Sequence, residues 1–193
     1  MISTGRQRNR TLSLPLALRQ LEAAGNLGNL RLAIVGKREG YRGPVFMDSD
    51  IYKTPGGGRL GELGRGGDQE LAAFDEETTA LLEKAQQPDG YLNSAVQVHG
   101  QPRYSNLAHS HEMHCASHLI QAGVVCLRAA GLDRLHGVAR RFADHLVNTF
   151  LGQLGGLDGH PIVERQWWSC TGRPGTGRTW SWPASGSSSA GTG

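Results

Sequence analysis

Cysteine is scarce in this chain: Cys115, Cys126 and Cys170 are the three among 193 residues. An odd and sparse set excludes a disulfide framework and makes reduced thiols the expectation. Long apolar runs are also missing. No stretch reaches the roughly 18 apolar residues that a membrane-spanning helix needs, and the Arg-rich start (Arg6, Arg8, Arg10) lacks the apolar segment of a secretory signal. A cytoplasmic protein without a membrane partner is therefore expected. Aromatic residues make up 6% and hydrophobic residues 38%, with a mean hydropathy of -0.39, so the material for a core is lean. Glycine, at 28 residues, is plentiful. The length fits one ordinary domain, which by size alone would bury about 70% of its unfolded surface.

A net charge of +3 and a pI near 9.0 invite a nucleic-acid reading until the charges are located. Residues 165–193 hold three Arg and no acid, so residues 1–164 carry 17 basic and 17 acidic side chains. The body is neutral, and a basic face for phosphates has no support. No nucleic-acid partner is expected.

Composition divides the chain at the same point. Residues 165–193 contain all four Trp (Trp167, Trp168, Trp180, Trp182), six Gly and six Ser, but no Leu, Ile, Val, Asp, Glu or Lys. Nothing in this tail has a period that would give it an apolar face, so disorder is expected. Its Trp content suggests a frameshift: Trp is encoded by TGG alone, and one shift of frame puts Leu, Met or Val where Trp stands. Suitable codons then turn the tail into two helices about a Thr-Gly turn. Similar compensated shifts would replace the glycines of residues 55–61 with Leu-Glu-Ala-Val-Ala-Trp-Glu.

Apolar spacing predicts helices over residues 14–24, 27–35, 69–87, 106–130 and 132–151, with Gly25, Gly36, Gly131 and Gly152 at or just past their ends. The turn signal Gln87-Pro88-Asp89-Gly90 followed by Tyr91 predicts a short β-hairpin or strand over residues 91–98. Asp48 to Lys53 reads as a helix start that the segment from Thr54 to Gly67 then breaks. That glycine run lacks the spacing of a phosphate loop. The architecture expected from these patterns is all-α, built from antiparallel helical hairpins.

Reactive side chains concentrate at His109-Ser110-His111-Glu112-Met113-His114-Cys115-Ala116-Ser117-His118. His111, His114, Cys115 and His118 stand at i, i+3, i+4 and i+7, which would place them on one helical face. Imidazole and thiolate suit zinc, but a single helix rarely closes a tetrahedron and no matching fourth-ligand motif follows. The H-E-x-x-H spacing of a zinc protease is absent. A second candidate, Asp158-Gly159-His160-Pro161, opens a further helix, with His160 49 residues beyond His111. That separation is about two helices and two loops, enough for both imidazoles to project from the same end of successive hairpins.

Five segments occur in order: Asn29-Leu30-Arg31-Leu32-Ala33, the run from Gly43 to Lys53, the run from Ala85 to Leu92, Ser110-His111-Glu112-Met113 with Ser117-His118-Leu119-Ile120, and Asp158-Gly159-His160-Pro161. Together they resemble the N-terminal part of the catalytic domain of glycoside hydrolase family 127, the β-L-arabinofuranosidase-like enzymes. The resemblance implies a partial (α/α)6 six-hairpin barrel, about its first half, in a family of soluble bacterial enzymes that release terminal β-L-arabinofuranose. It implies that His111 and His160 bind substrate, exchanging hydrogen bonds with sugar hydroxyls. The family's cysteine nucleophile, the zinc held by glutamate and further cysteines, and its glutamate acid/base fall downstream of these motifs. None of Cys115, Cys126 and Cys170 matches them, so no catalytic residue, metal ligand or zinc is expected in this chain.

Twelve helices of about 15 residues with connections of about 6 require on the order of 250 residues, and residues 1–164 supply roughly half of a barrel. Helix faces left without partners favour self-association. The expected function is that of a truncated relative of a non-reducing-end β-L-arabinofuranosidase, inactive by itself, with an arabinofuranoside-type carbohydrate as ligand. The alternatives are a noncatalytic helical module that binds sugar or protein, and a small zinc protein centred on the His/Cys helix.

Overall fold

Leu18 and Leu21 are buried in the first helix while Leu16, on the other side, is 52% exposed, so the leucine spacing alone sets which face turns inward. The computed structural model describes residues 14–61 and 69–150. Helix α1 (Leu14–Ala24) ends at Gly25, whose left-handed φ of 94° turns the chain directly into α2 (Asn26–Val35). Helix α2 buries two asparagines as well as Leu27 and Leu30. The Asn29 side chain donates to the Arg42 carbonyl at 2.8 Å and accepts from the Arg42 N–H at 3.0 Å, and Asn26 donates to the Met47 carbonyl at 2.8 Å. Satisfied in this way, the buried amides fix the path of residues 37–46.

Six helices follow: α3 (Met47–Gly61), α4 (Gln69–Ala85), α5 (Ser94–His99), α6 (Leu107–Ser110), α7 (Glu112–Ala130) and α8 (Asp133–Phe150). In α8, Leu135, Val138, Ala139, Phe142, His145 and Leu146 form the inward stripe, as helical periodicity requires. Ala116, Leu119, Ile120 and Cys126 of α7 meet it in one continuous core with Ile51, Tyr52, Leu82, Tyr91 and Leu92. The two helices approach closely at Gly123 of α7, where a Cβ would stand 2.5 Å from the Ala139 Cβ.

Contacts along the helices give their directions. Phe46, just before α3, meets His111; Asp48 acts on Cys115; Lys53 and Asp50 act on His118. Residue numbers rise together on both sides, so α3 and α7 run parallel. On the outside, Arg134 pairs with Glu76 and Glu83 and Gln86 reaches the Val138 carbonyl, so α4 and α8 are also parallel. Each inner helix returns through its own outer helix. This is the repeat of an α/α barrel, present here in part.

Among the described residues there is no strand, and three sequence expectations are corrected. Residues 91–98 do not form a β-hairpin: after an extended stretch at 91–93, Asn93 caps α5 by accepting the Val96 N–H at 2.9 Å. The β-branched Val96 and Val98 suggested a strand, but both are buried in that short helix. The break expected from Thr54 is not where the helix ends, for α3 continues through Pro55 and the glycines to Gly61. Ile51 and Tyr52 anchor its earlier turns in the core. The single helix expected over residues 106–130 is divided at His111, whose φ of 53° is left-handed. The tail at 165–193, His160 and Cys170 lie outside the described residues.

Candidate functional site

Helices α3 and α7 start at the same end of the fold, and the side chains there are held by buried polar anchors. Asp48, fully buried in the first turn of α3, accepts the Ser94 hydroxyl at 2.5 Å and the Ser94 N–H at 2.7 Å. Burial pushes its carboxyl above the usual aspartate range, against the opposing pull of the two Ser94 bonds. The link ties α3 to the start of α5. Burial and the Asp48 charge likewise raise the phenols of Tyr41 and Tyr52.

A second anchor opens α7. Glu112 is 1% exposed, and its carboxylate accepts the Tyr91 hydroxyl at 2.5 Å and the Tyr104 N–H at 3.0 and 3.1 Å. Tyr104 has a φ of 58°, so both residues with positive φ other than glycine among those described, Tyr104 and His111, flank the segment that this carboxylate closes. Around it, Tyr91 meets Tyr104, Phe142 and His145 edge-on, and the Arg103 guanidinium lies 4.1 Å from the centre of the Tyr91 ring. Burial first, then the Glu112 charge, drives the Tyr91 phenol well above its ordinary value. His145 Nδ1 lies 3.1 Å from the Asp89 carbonyl, and burial holds this imidazole below the usual histidine range despite Asp89.

His111 sits at the start of α7, half-buried, with its carbonyl accepting the Cys115 N–H at 2.9 Å. Its ring meets Phe46 edge-on at 5.3 Å between centroids and His114 at 5.7 Å; His114 meets His118 at 4.7 Å. The expected histidine face is thus a ladder of three half-buried rings. Cys115 is different. It is fully buried, and burial with the nearby Asp48 charge raises its thiol well above the ordinary range. Such a thiol is neither a nucleophile nor a ready zinc ligand. Among the described residues, no group of three or more His, Cys, Asp or Glu is arranged to hold a metal ion.

Sequence reasoning singled out His111 but not the residues packed around it. Tyr104 carries no sign of its left-handed backbone, and the Ser94 to Asp48 bond spans 46 residues. Glu112 was visible only as a neighbour of His111.

Residues 5–164 match the family described as Beta-L-arabinofuranosidase, GH127 catalytic domain. The chain belongs to that family. It is 35% identical over 146 residues to the non-reducing end β-L-arabinofuranosidase of Bifidobacterium longum subsp. longum, an alignment covering 72% of this chain and 22% of that protein. The crystal structure of a GH127 β-L-arabinofuranosidase from Geobacillus stearothermophilus T6 superposes with a TM-score of 0.77 at 30% identity, over 87% of this chain and 28% of the other. A further solved GH127 β-arabinofuranosidase gives a TM-score of 0.75 at 26% identity, over 86% and 28%. The all-helical partial barrel expected from the GH127 resemblance is the fold observed. The chain spans between a fifth and a third of the length of these relatives.

Proposed function

We propose that this chain forms the opening section of a β-L-arabinofuranosidase barrel, that it contributes part of the pocket for a terminal β-L-arabinofuranoside, and that it does not cleave the glycoside by itself. The observation that carries the reading is the position of His111, half-buried at the start of an inner helix beside the exposed Phe46. An imidazole can donate to or accept from sugar hydroxyls, while the face of an aromatic ring suits the apolar face of a pentose. His160, from the same family motif set, is the second residue proposed to bind the sugar.

Glycoside cleavage needs two groups flanking the bond, or a metal-activated thiolate with an acid. Three buried groups of the right type beside the start of α7 are committed elsewhere: Glu112 to Tyr91 and Tyr104, Asp48 to Ser94, and Cys115 to the core. Zinc belongs to this reading as a cofactor of the parent enzyme. Among the described residues no group of three or more His, Cys, Asp or Glu is arranged to hold it.

Titration of the full chain with L-arabinose tests the pocket: binding should be lost in His111→Ala, and an equal affinity in that variant would remove His111 from the site. Incubation with a nitrophenyl β-L-arabinofuranoside tests the chemistry, with no turnover expected; zinc-dependent turnover would overturn the claim of inactivity. The same reading carries a cytoplasmic location, testable by cell fractionation, and self-association through exposed helix faces, testable by sedimentation velocity. It also keeps the frameshift, which resequencing the encoding DNA beyond residue 164 would decide.

A further inference from the structure

The Glu112 anchor has a geometry that packing alone does not require. A carboxylate with 1% exposure spans eight residues back along the chain to grip the Tyr104 N–H with both oxygens, and it follows His111 directly. The enclosed segment begins and ends on left-handed residues that are not glycine, with φ of 58° and 53°. Conformations of this kind are strained and persist only where surrounding contacts impose them. Between the two ends, Asn106 accepts the N–H groups of His109 and Ser110 at 3.0 and 2.8 Å, so the segment is a closed unit with little slack. At its near end, the Tyr104 ring stands among Tyr91, His145 and Phe150.

We propose that Glu112 is a positioning residue for His111: by clamping the Tyr104 amide it holds the turn that aims the His111 imidazole toward Phe46 and the pocket. The proposal rests on the reading of His111 as a sugar contact, but the clamp itself is testable without sugar. A carboxylate is required because both oxygens face one N–H donor. In Glu112→Gln the side chain keeps its size, yet in either orientation its amide NH2 takes the place of an oxygen that faces the Tyr104 N–H, setting donor against donor. Tyr91→Phe removes the phenol donor from the same carboxylate and leaves the Tyr104 clamp in place.

The experiment is NMR on the full chain with labelled histidine and phenylalanine, following the cross-relaxation between the His111 and Phe46 rings, alongside arabinose titration. Glu112→Gln is expected to lose the ring contact and to weaken arabinose binding roughly tenfold, the scale of one charge-assisted hydrogen bond. Tyr91→Phe is expected to keep both, even where it lowers the melting temperature. An unchanged ring contact in folded Glu112→Gln would overturn the proposal, as would an equal loss in both variants, which would mark Glu112 as a packing residue only. Should Glu112→Gln fail to fold, Glu112→Asp, whose carboxylate is withdrawn by one methylene, takes its place with the same two readings. If the wild-type chain binds no arabinose while the ring contact still depends on Glu112, the sugar reading fails and the positioning role stands.

Discussion

Asp48 and His145 are buried titratable groups whose environments act on stability in opposite directions. Ser94 supplies two donors to Asp48, so Ser94→Ala, which removes the hydroxyl and leaves a buried carboxylate under-satisfied, should destabilise the fold by about 1–3 kcal/mol in urea unfolding. The carboxyl is raised above 3.8 when folded, so its contribution is fully present below that value and is lost as pH rises through the raised one. His145 has the reverse sign. Its imidazole is lowered from 6.5 by burial, so the folded state resists protonation, and the contribution present above 6.5 is lost as pH falls through the lowered value. The stability of the wild type relative to His145→Gln should therefore decline as pH falls below the ordinary histidine value of 6.5 and on through the lowered one. A flat difference across that window in chemical unfolding would remove His145 from the account.

At the scale of the helix, two glycines with the same propensity should respond oppositely. A Cβ at Gly123 would collide with Ala139 across the α7 and α8 contact, so Gly123→Ala should destabilise by about 1–3 kcal/mol despite its better helix propensity. A Cβ at Gly137 would meet only the Arg141 head at 3.7 Å, so Gly137→Ala should stabilise by up to about 1 kcal/mol. Thermal unfolding of the pair checks the direction of both. The elements themselves were legible to different degrees. Periodic apolar spacing with a closing glycine located α1, α2 and α8 within a residue or so, because burial of one face is a local pattern. Residues 91–98 were misread because Val96 and Val98 share their branched shape with strand residues, while the deciding signal, Asn93 as a cap, rests on one side chain. The break at His111 is invisible locally, since it depends on a carboxylate meeting an amide eight residues away.

For the molecule as a whole, ligand binding should be readable as stability. Arabinose that binds the folded chain alone would add about 2.7 kcal/mol at a concentration 100 times its dissociation constant. The melting temperature of the wild type should climb with sugar, and that of His111→Ala should stay level; a rise in both would place the sugar elsewhere. The family and the barrel could be read from ordered motifs, which carry long-range information that periodicity lacks. The candidate site was read only in part, because its anchors join residues far apart in the chain.

Both inner helices begin at the same end of the fold, and each begins with its own acid: Asp48 and Asp50 in the first turn of α3, Glu112 in that of α7. A bare helix start attracts anions through its unpaired amides and aligned dipoles. Here built-in negative charge already answers those two positive poles, so a phosphorylated or acidic sugar gains no electrostatic welcome from them, and an uncharged pentose gives up nothing by lacking one.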